Sequence, residues 1–348
     1  MLTPPDDLSQ DMLVSALAGG WQVTVASMAY RAVGFGSHHW AVIDAAGTRW
    51  FVTADELGNK RHSLDEPLTA AFGRLRASLA AASDLRDCGR TFVVAPVPAR
   101  DGEPLTRVGD RFGVALYPFL DGQSFEWGEW PSPAHRRGML DLIIATHTAP
   151  SAAARRAMTD DFAVPHRDEL ETALRTAPPA GSAPAGSAGD AGDCGPYARP
   201  TALLLAQNAV PIRRLLARYD ELAAQSRSRP SATVLTHGEA HPGNIMRTSG
   251  GWLLIDWDTA LVAPPERDLW MLDPGDGSVT GAYAGATGVT PLPSMLELYR
   301  IRWDLADIAI DVSRFRRQHP GSVDDDESWN VLSSLIARVG LSWSGRAP

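Results

Sequence analysis

The stretch from Thr233 to Asp258 limits what this chain can fold into more than any other part of it. A short apolar run, Thr233-Val-Leu-Thr236, enters a loop rich in Gly and Pro, His237-Gly-Glu239-Ala-His241-Pro-Gly-Asn244. Ser249-Gly-Gly251 then marks a hairpin, and a second apolar run, Trp252-Leu-Leu-Ile255, ends on Asp256-Trp-Asp258. Gly238, Pro242 and Gly243 argue against a regular helix through this loop. The segment therefore reads as strand, loop and returning strand. That order brings Glu239, Asn244 and Asp256 to one end of a small ribbon.

Two zinc readings of the same residues fail on spacing. His237 and His241 flank Glu239, but the helical zinc pair needs a helix and an acid directly after its first His. The His-x-Glu half of a zinc deaminase signature is present without its Pro-Cys-x-x-Cys partner, because Cys88 and Cys194 are the only cysteines. One carboxylate and two oxygen ligands for a hard divalent ion are instead the set that phosphoryl transfer requires. The segment resembles the aminoglycoside phosphotransferase/choline kinase-like family, relatives of the protein kinases, whose pattern reads His-x-Asp-x-x-x-x-Asn and then Ile-Asp. The resemblance implies a small-molecule kinase using ATP or GTP with Mg²⁺. Its fold would be α+β and two-lobed, with an antiparallel N-lobe sheet and one helix over residues 1–120 and a mainly helical C-lobe over 121–348.

The remaining pattern agrees with that expectation. Thr24–Val33, His39–Asp44 and Arg49–Ala54 read as three strands, and Pro67–Leu85 has helical apolar spacing. Phe92–Pro98 and Phe112–Leu120 are apolar runs suited to two further strands. Helical patterns follow over Pro133–Thr148, Arg167–Thr176, Thr201–Gln225, Met295–His319 and Asp326–Val339. Residues 177–195 are rich in Ala, Gly, Ser and Pro without apolar periodicity, which predicts a flexible insertion.

By resemblance, Glu239 stands where related kinases carry a catalytic Asp, and a carboxylate is what the position requires. Asn244 and Asp256 would be the metal ligands, with Asp258 facing either the site or solvent. His237 would brace the loop, and Asp268 would anchor it through backbone hydrogen bonds or simply cap a helix. Gly34-Phe-Gly36-Ser37, between two strands, would cover nucleotide phosphates with backbone N–H groups. The third strand lacks the Lys that kinase-like proteins usually present there. Lys60, the only lysine in the chain, lies past the strand's end. Either it folds back to the phosphates with Glu66 as partner, or Arg31, Arg49 or Arg61 replaces it, or it is a solvated surface residue. Asp304, Asp307 and Asp311 fall on one helix face beside Trp303, and would form either an acidic acceptor wall or a solvated stripe.

Composition narrows the partners. The 348 residues are 44% hydrophobic and carry a net charge of −9, which suits a small cationic ligand and disfavours nucleic acid. No signal peptide or membrane span is evident, and two distant cysteines suggest no disulfide framework, so a cytoplasmic protein is expected. Within the resemblance, an antibiotic kinase of aminoglycoside or spectinomycin type is the leading expectation. A kinase for choline, homoserine or a sugar, or a weakly active pseudokinase, are the alternatives.

Overall fold

Alternating burial along β2 (His38–Asp44) and β3 (Arg49–Glu56) is the mark of strands with one face packed. With β1 (Val25–Arg31), β4 (Thr106–Val108) and β5 (Phe112–Pro118) they form an antiparallel sheet of order β1-β2-β3-β5-β4. One face buries Trp40, Val42, Val52, Ala54, Val114 and Leu116 against Leu13 and Leu17 of α1 (Gln10–Trp21). This first helix was not anticipated from the sequence; Ser9 caps it by accepting the Met12 N–H at 3.2 Å.

The computed structural model describes residues 1–176, 194–228 and 232–343, which divide into two compact units. Unit 1 contains the sheet together with described residues up to 161 (62–66 excepted) and 232–296. In it, α2 (Leu68–Asp87), α3 (Pro133–His147), α6 (Glu266–Leu272) and α7 (Ser278–Thr287) join two small ribbons. One pairs β6 (Val234–Thr236) with β9 (Leu261–Ala263), the other β7 (Ile245–Thr248) with β8 (Gly251–Leu254). A single core of Leu57, Leu79, Met139, Leu235, Ile245, Leu254 and Trp257 spans these elements.

Unit 2 holds α4 (Arg167–Thr176), α5 (Ala198–Arg227), residues 297–315 of α8 (Pro293–Phe315), and α9 (Val323–Trp343). Helix α5 breaks at Asn208 (φ −114°, ψ 15°), just before Pro211, whose ring cannot follow a regular preceding turn. Among the described residues, no helix is long and apolar enough to cross a membrane.

The α+β architecture expected from the sequence is the one observed. One expectation requires correction. Phe92–Pro98 is not a strand, because Pro96 and Pro98 interrupt its donors. Its Val94 and Val97 N–H groups reach Leu254 and Leu116 carbonyls singly, at 3.0 and 2.7 Å. The ribbon β7–β8 shares its core with α2 and with Leu57, which follows β3, and the two lobes over 1–120 and 121–348 stay an expectation. Of the expected insertion at 177–195, all but Cys194 and Gly195 lies outside the described residues.

Candidate active site

The loop between β6 and β7 is held by its backbone before any side chain is considered. Asp268, fully buried on α6, accepts the N–H groups of His237 at 2.8 Å and Gly238 at 2.5 Å. His147 from the end of α3 donates Nε2–H to the same carboxylate at 2.9 Å, and its Nδ1 lies 3.0 Å from the Tyr283 hydroxyl. Burial alone would raise the Asp268 carboxyl, but the His147 hydrogen bond and nearby Arg267 outweigh it and hold it below the usual carboxylate range.

His237 is the second brace. Its Nε2 donates to the Ile255 carbonyl at 2.8 Å, and its Nδ1 accepts the Glu239 N–H at 3.2 Å. Burial pushes the imidazole below its ordinary value, so this tautomer is neutral and fixed. Gly238 takes φ +102°, and a Cβ there would land on the Arg267 guanidinium. That guanidinium is itself bonded to the Thr236 hydroxyl at 2.8 Å and the Thr259 carbonyl at 2.7 Å. Gly238→Ala should therefore lose about 2–4 kcal/mol in urea unfolding, combining left-handed strain with a buried steric conflict.

Glu239 and the two candidate ligands are linked through the same loop. The Asn244 Nδ2 donates to the Glu239 carbonyl at 3.1 Å, which leaves the amide oxygen as the available ligand. The Ile255 N–H donates to the Asn244 carbonyl at 3.0 Å, so Asp256 follows directly from that contact. Asp256 adopts φ +66°, an uncommon conformation for a non-glycine residue. Desolvation by the protein around it, with Asp258 and Glu239 nearby, pushes its carboxyl well above the ordinary range, although the residue is exposed at the mouth of the site. A carboxylate repelled by its neighbours, beside an oriented amide oxygen, fits a divalent cation. Among the described residues no three His, Cys, Asp or Glu side chains form a closed metal cage. Two protein oxygens suffice for Mg²⁺, which keeps waters and takes phosphate oxygens.

The glycine loop and the turn after β3 converge on the same acids. Gly34 and Gly36 take φ +67° and +98°, as a tight connection between β1 and β2 demands. The Ser37 hydroxyl donates to Asp55 at 2.6 Å. Asp55 forms an ion pair with Lys60 Nζ at 3.0 Å, and Lys60 donates to Asp258 at 2.6 Å. Lys60 is thus not a solvated surface residue; its side chain is 23% exposed and held between two carboxylates. Burial would lower its pKa, yet Asp258 and Asp55 override that and raise it, while Lys60 in turn keeps Asp258 ionised against burial. One of its three N–H donors is taken by Asp258, which leaves donor capacity for a further acceptor. Its partners are not Glu66, which instead accepts the His62 N–H at 2.6 Å. Arg49, one of the substitutes considered, pairs with Asp121 and lies 4.7 Å over the Phe119 ring.

A model of the phosphotransferase enzyme family matches residues 31–292 of this chain. The chain belongs to that family. It is 32% identical to Protein StrN of Streptomyces griseus over 266 residues, 72% of this chain and 74% of that protein. Its fold is similar to that of a spectinomycin phosphotransferase solved with ADP and spectinomycin, with a TM-score of 0.69, 16% identity and coverage of 97% and 99% of the two chains. Choline kinase LicA of Streptococcus pneumoniae is similar in fold at a TM-score of 0.55 and 10% identity, covering 94% of this chain and 99% of its own. At those identities the two likenesses concern the fold.

The acidic face of α8 is only partly open in this phosphotransferase. Asp304 is buried and paired with Arg338 of α9 at 2.8 Å, while Asp307 and Trp303 are half-buried. Asp311 is buried too, and burial raises its carboxyl to about 7 against the opposing pull of Arg314. Arg314 is already bonded to Asp325 at 2.9 Å. An acid whose folded pKa is raised costs stability as pH climbs from its unfolded value, near 4, through about 7. Asp311→Asn should remove that slope, matching the parent at pH 4 and exceeding it by up to about 4 kcal/mol at pH 8 in urea titrations.

Several residues of this site escaped sequence reading. His147 carries no local signal, standing at the end of an ordinary amphipathic helix. Arg267 was visible only as the neighbour of Asp268. Asp55 gave no such signal, since alternation puts it with Phe51 and Thr53 on the face opposite the packed Val52 and Ala54, where a charged residue is ordinary. Trp127 is 60% exposed in the connection before α3, with its ring edge-on to His241 at 4.5 Å between centroids.

Proposed function

We propose that this phosphotransferase moves the γ-phosphoryl group of ATP to a hydroxyl of a small amine-bearing acceptor of the aminocyclitol or aminoglycoside antibiotic class. The observation that carries the nucleotide half is the chain Ser37–Asp55–Lys60–Asp258, which ties the glycine loop to the Asp256–Asp258 segment at 2.6, 3.0 and 2.6 Å. Asp55 thereby joins three separated segments, the glycine loop, the Lys60 turn and the Asp256–Asp258 segment, and phosphoryl transfer needs such parts together.

Within this reading, the Gly34–Ser37 backbone covers the phosphates, and the spare Lys60 donor meets them. Asn244 and Asp256 would hold Mg²⁺, which when bound neutralises charge on the nucleotide phosphates. Glu239 accepts the proton of the acceptor hydroxyl as its oxygen bonds to the γ-phosphorus. The bond to the bridging oxygen breaks, and ADP leaves with that electron pair. His237 and Asp268 keep the carboxylate's backbone in place, so positioning and electrostatics supply most of the rate.

Support for ATP comes from the ADP bound by the spectinomycin phosphotransferase of similar fold. An amine-bearing acceptor suits the net charge of −9 and the exposed Glu126, Trp127 and Glu129 of the segment that reaches His241. Thermal unfolding with Mg²⁺-ATP and Mg²⁺-GTP, followed by an acceptor screen, tests the reading. Saturation at a hundred times the dissociation constant adds about 2.7 kcal/mol of stability. Lys60→Ala should abolish most of that gain. Turnover of choline, homoserine or a sugar, with none of spectinomycin or aminoglycosides, would replace the acceptor class. No stabilisation by either nucleotide would remove the kinase mechanism itself.

A further inference from the structure

We infer that His241 is a positioning residue for the Glu239 carboxylate. This rests on the reading of Glu239 as the proton acceptor, and it addresses the extra methylene that Glu brings to a position where related kinases carry Asp. The backbone of Glu239 is held from both sides. Its N–H meets His237 at 3.2 Å, and its carbonyl accepts the His241 N–H at 2.9 Å and Asn244 Nδ2 at 3.1 Å. What stays free is the side chain, with one more rotatable bond than Asp to aim.

Among the described residues, His241 is the basic side chain that approaches that carboxylate, Nε2 lying 3.7 Å from Glu239 Oε2. The imidazole is itself fixed. Its Nδ1 accepts the Gly243 N–H at 3.1 Å, which assigns the ring proton to Nε2, on the side of the carboxylate. A Cβ at Gly243 would come within 3.1 Å of His241 Cε1, so the glycine is what lets the loop backbone approach the ring. Trp127 covers the imidazole edge-on, 4.5 Å between centroids and 73° between planes. The ring is only 14% exposed and the carboxylate 25%, so the pair stands at the mouth of the site with the acid the more open of the two.

At 3.7 Å the contact is longer than a hydrogen bond, and a movement of under 1 Å closes it. Contacts to a catalytic carboxylate commonly tighten only when the acceptor binds. A closed Nε2–H···Oε2 bond would select one Glu rotamer and present the other oxygen to the acceptor hydroxyl. A shorter Asp side chain would not reach the ring and would not need it.

A double-mutant cycle on the full chain separates this role from loop bracing. His241→Ala should lower kcat about 30-fold in the native background while KM for ATP moves less than about 3-fold. In the Glu239→Asp background the same substitution should cost less than about 3-fold. His241→Gln, which keeps a donor at similar reach, should recover most of the lost rate and guards against an alanine variant that merely misfolds. Equal losses in both backgrounds, or no loss in the native one, would overturn the inference. If the native protein transfers phosphate to no acceptor, the functional reading fails separately. The pairing is then still read by ¹⁵N spectra of the histidine rings, where Glu239→Gln should shift the protonated Nε2 of His241. An unchanged resonance would overturn it.

Discussion

Asp256→Asn should abolish phosphoryl transfer, by at least about a thousandfold in kcat, while making the nucleotide-free protein more stable. The carboxylate is crowded by Asp258 and Glu239 at φ +66°, a backbone conformation that Asn tolerates better than most residues. An acid whose folded pKa lies above its unfolded value costs stability once pH rises past that unfolded value, and the cost persists at neutral pH. Melting temperatures of parent and variant should therefore coincide near pH 4 and separate at pH 8 in favour of the variant. Addition of Mg²⁺-ATP should reverse the order, since only the parent gains from binding. A variant that melts below the parent at pH 8 without nucleotide would show that Asp256 is not under this repulsion.

The second large effect is expected at Asp268, and its sign is opposite. Asp268→Ala leaves the His237 and Gly238 N–H groups and the His147 Nε2–H without their buried acceptor. Removing one member of a buried charged network costs on the order of 3–5 kcal/mol, a large part of a typical domain's stability. The Asp268 carboxyl is held low in the folded state, so its contribution is present above the ordinary Asp range and is lost as pH falls toward the depressed value. Urea unfolding at pH 7 should show the full loss, and acid titration should show the parent converging on the variant. Activity should fall with stability, because the same three donors set the path of the loop that carries Glu239. Asp268→Asn, retaining one acceptor oxygen, should fall between the two.

How far the sequence foretold this structure depends on whether the determining contact was local. The apolar run at β6 and the hairpin β7–β8 were legible because turn glycines, a proline and two apolar runs specify them over a short span, but the pairing of β6 with β9 rather than with the returning strand was not. Strand periodicity likewise placed β2 and β3 almost to the residue. Phe92–Pro98 misled because apolar content stood in for pairing capacity, which its prolines remove. His147, Arg267 and Asp55 were missed for a different reason: their roles exist only after distant segments have met, and no spacing rule connects α3 to α6. Asp304 was read as a wall residue because its helical face was visible and Arg338, its partner on α9, was not.

The turn that follows β3 has a consequence for how this enzyme can change. A lysine borne by a strand obeys a two-residue period, so any slip in pairing sends it to the opposite face. Lys60 escapes that constraint. It is delivered by the reverse turn Leu57–Lys60, whose Asn59 and Lys60 N–H groups fold back on Glu56 and Leu57 at 2.9 and 3.2 Å. Charge placement is thereby uncoupled from sheet register. Insertions or deletions within that turn can lengthen or shorten the cation's reach without disturbing a single strand pair, and under the nucleotide role proposed for Lys60 they would tune nucleotide affinity. The sheet can drift under its own packing demands while the ammonium keeps its appointment with Asp55 and Asp258.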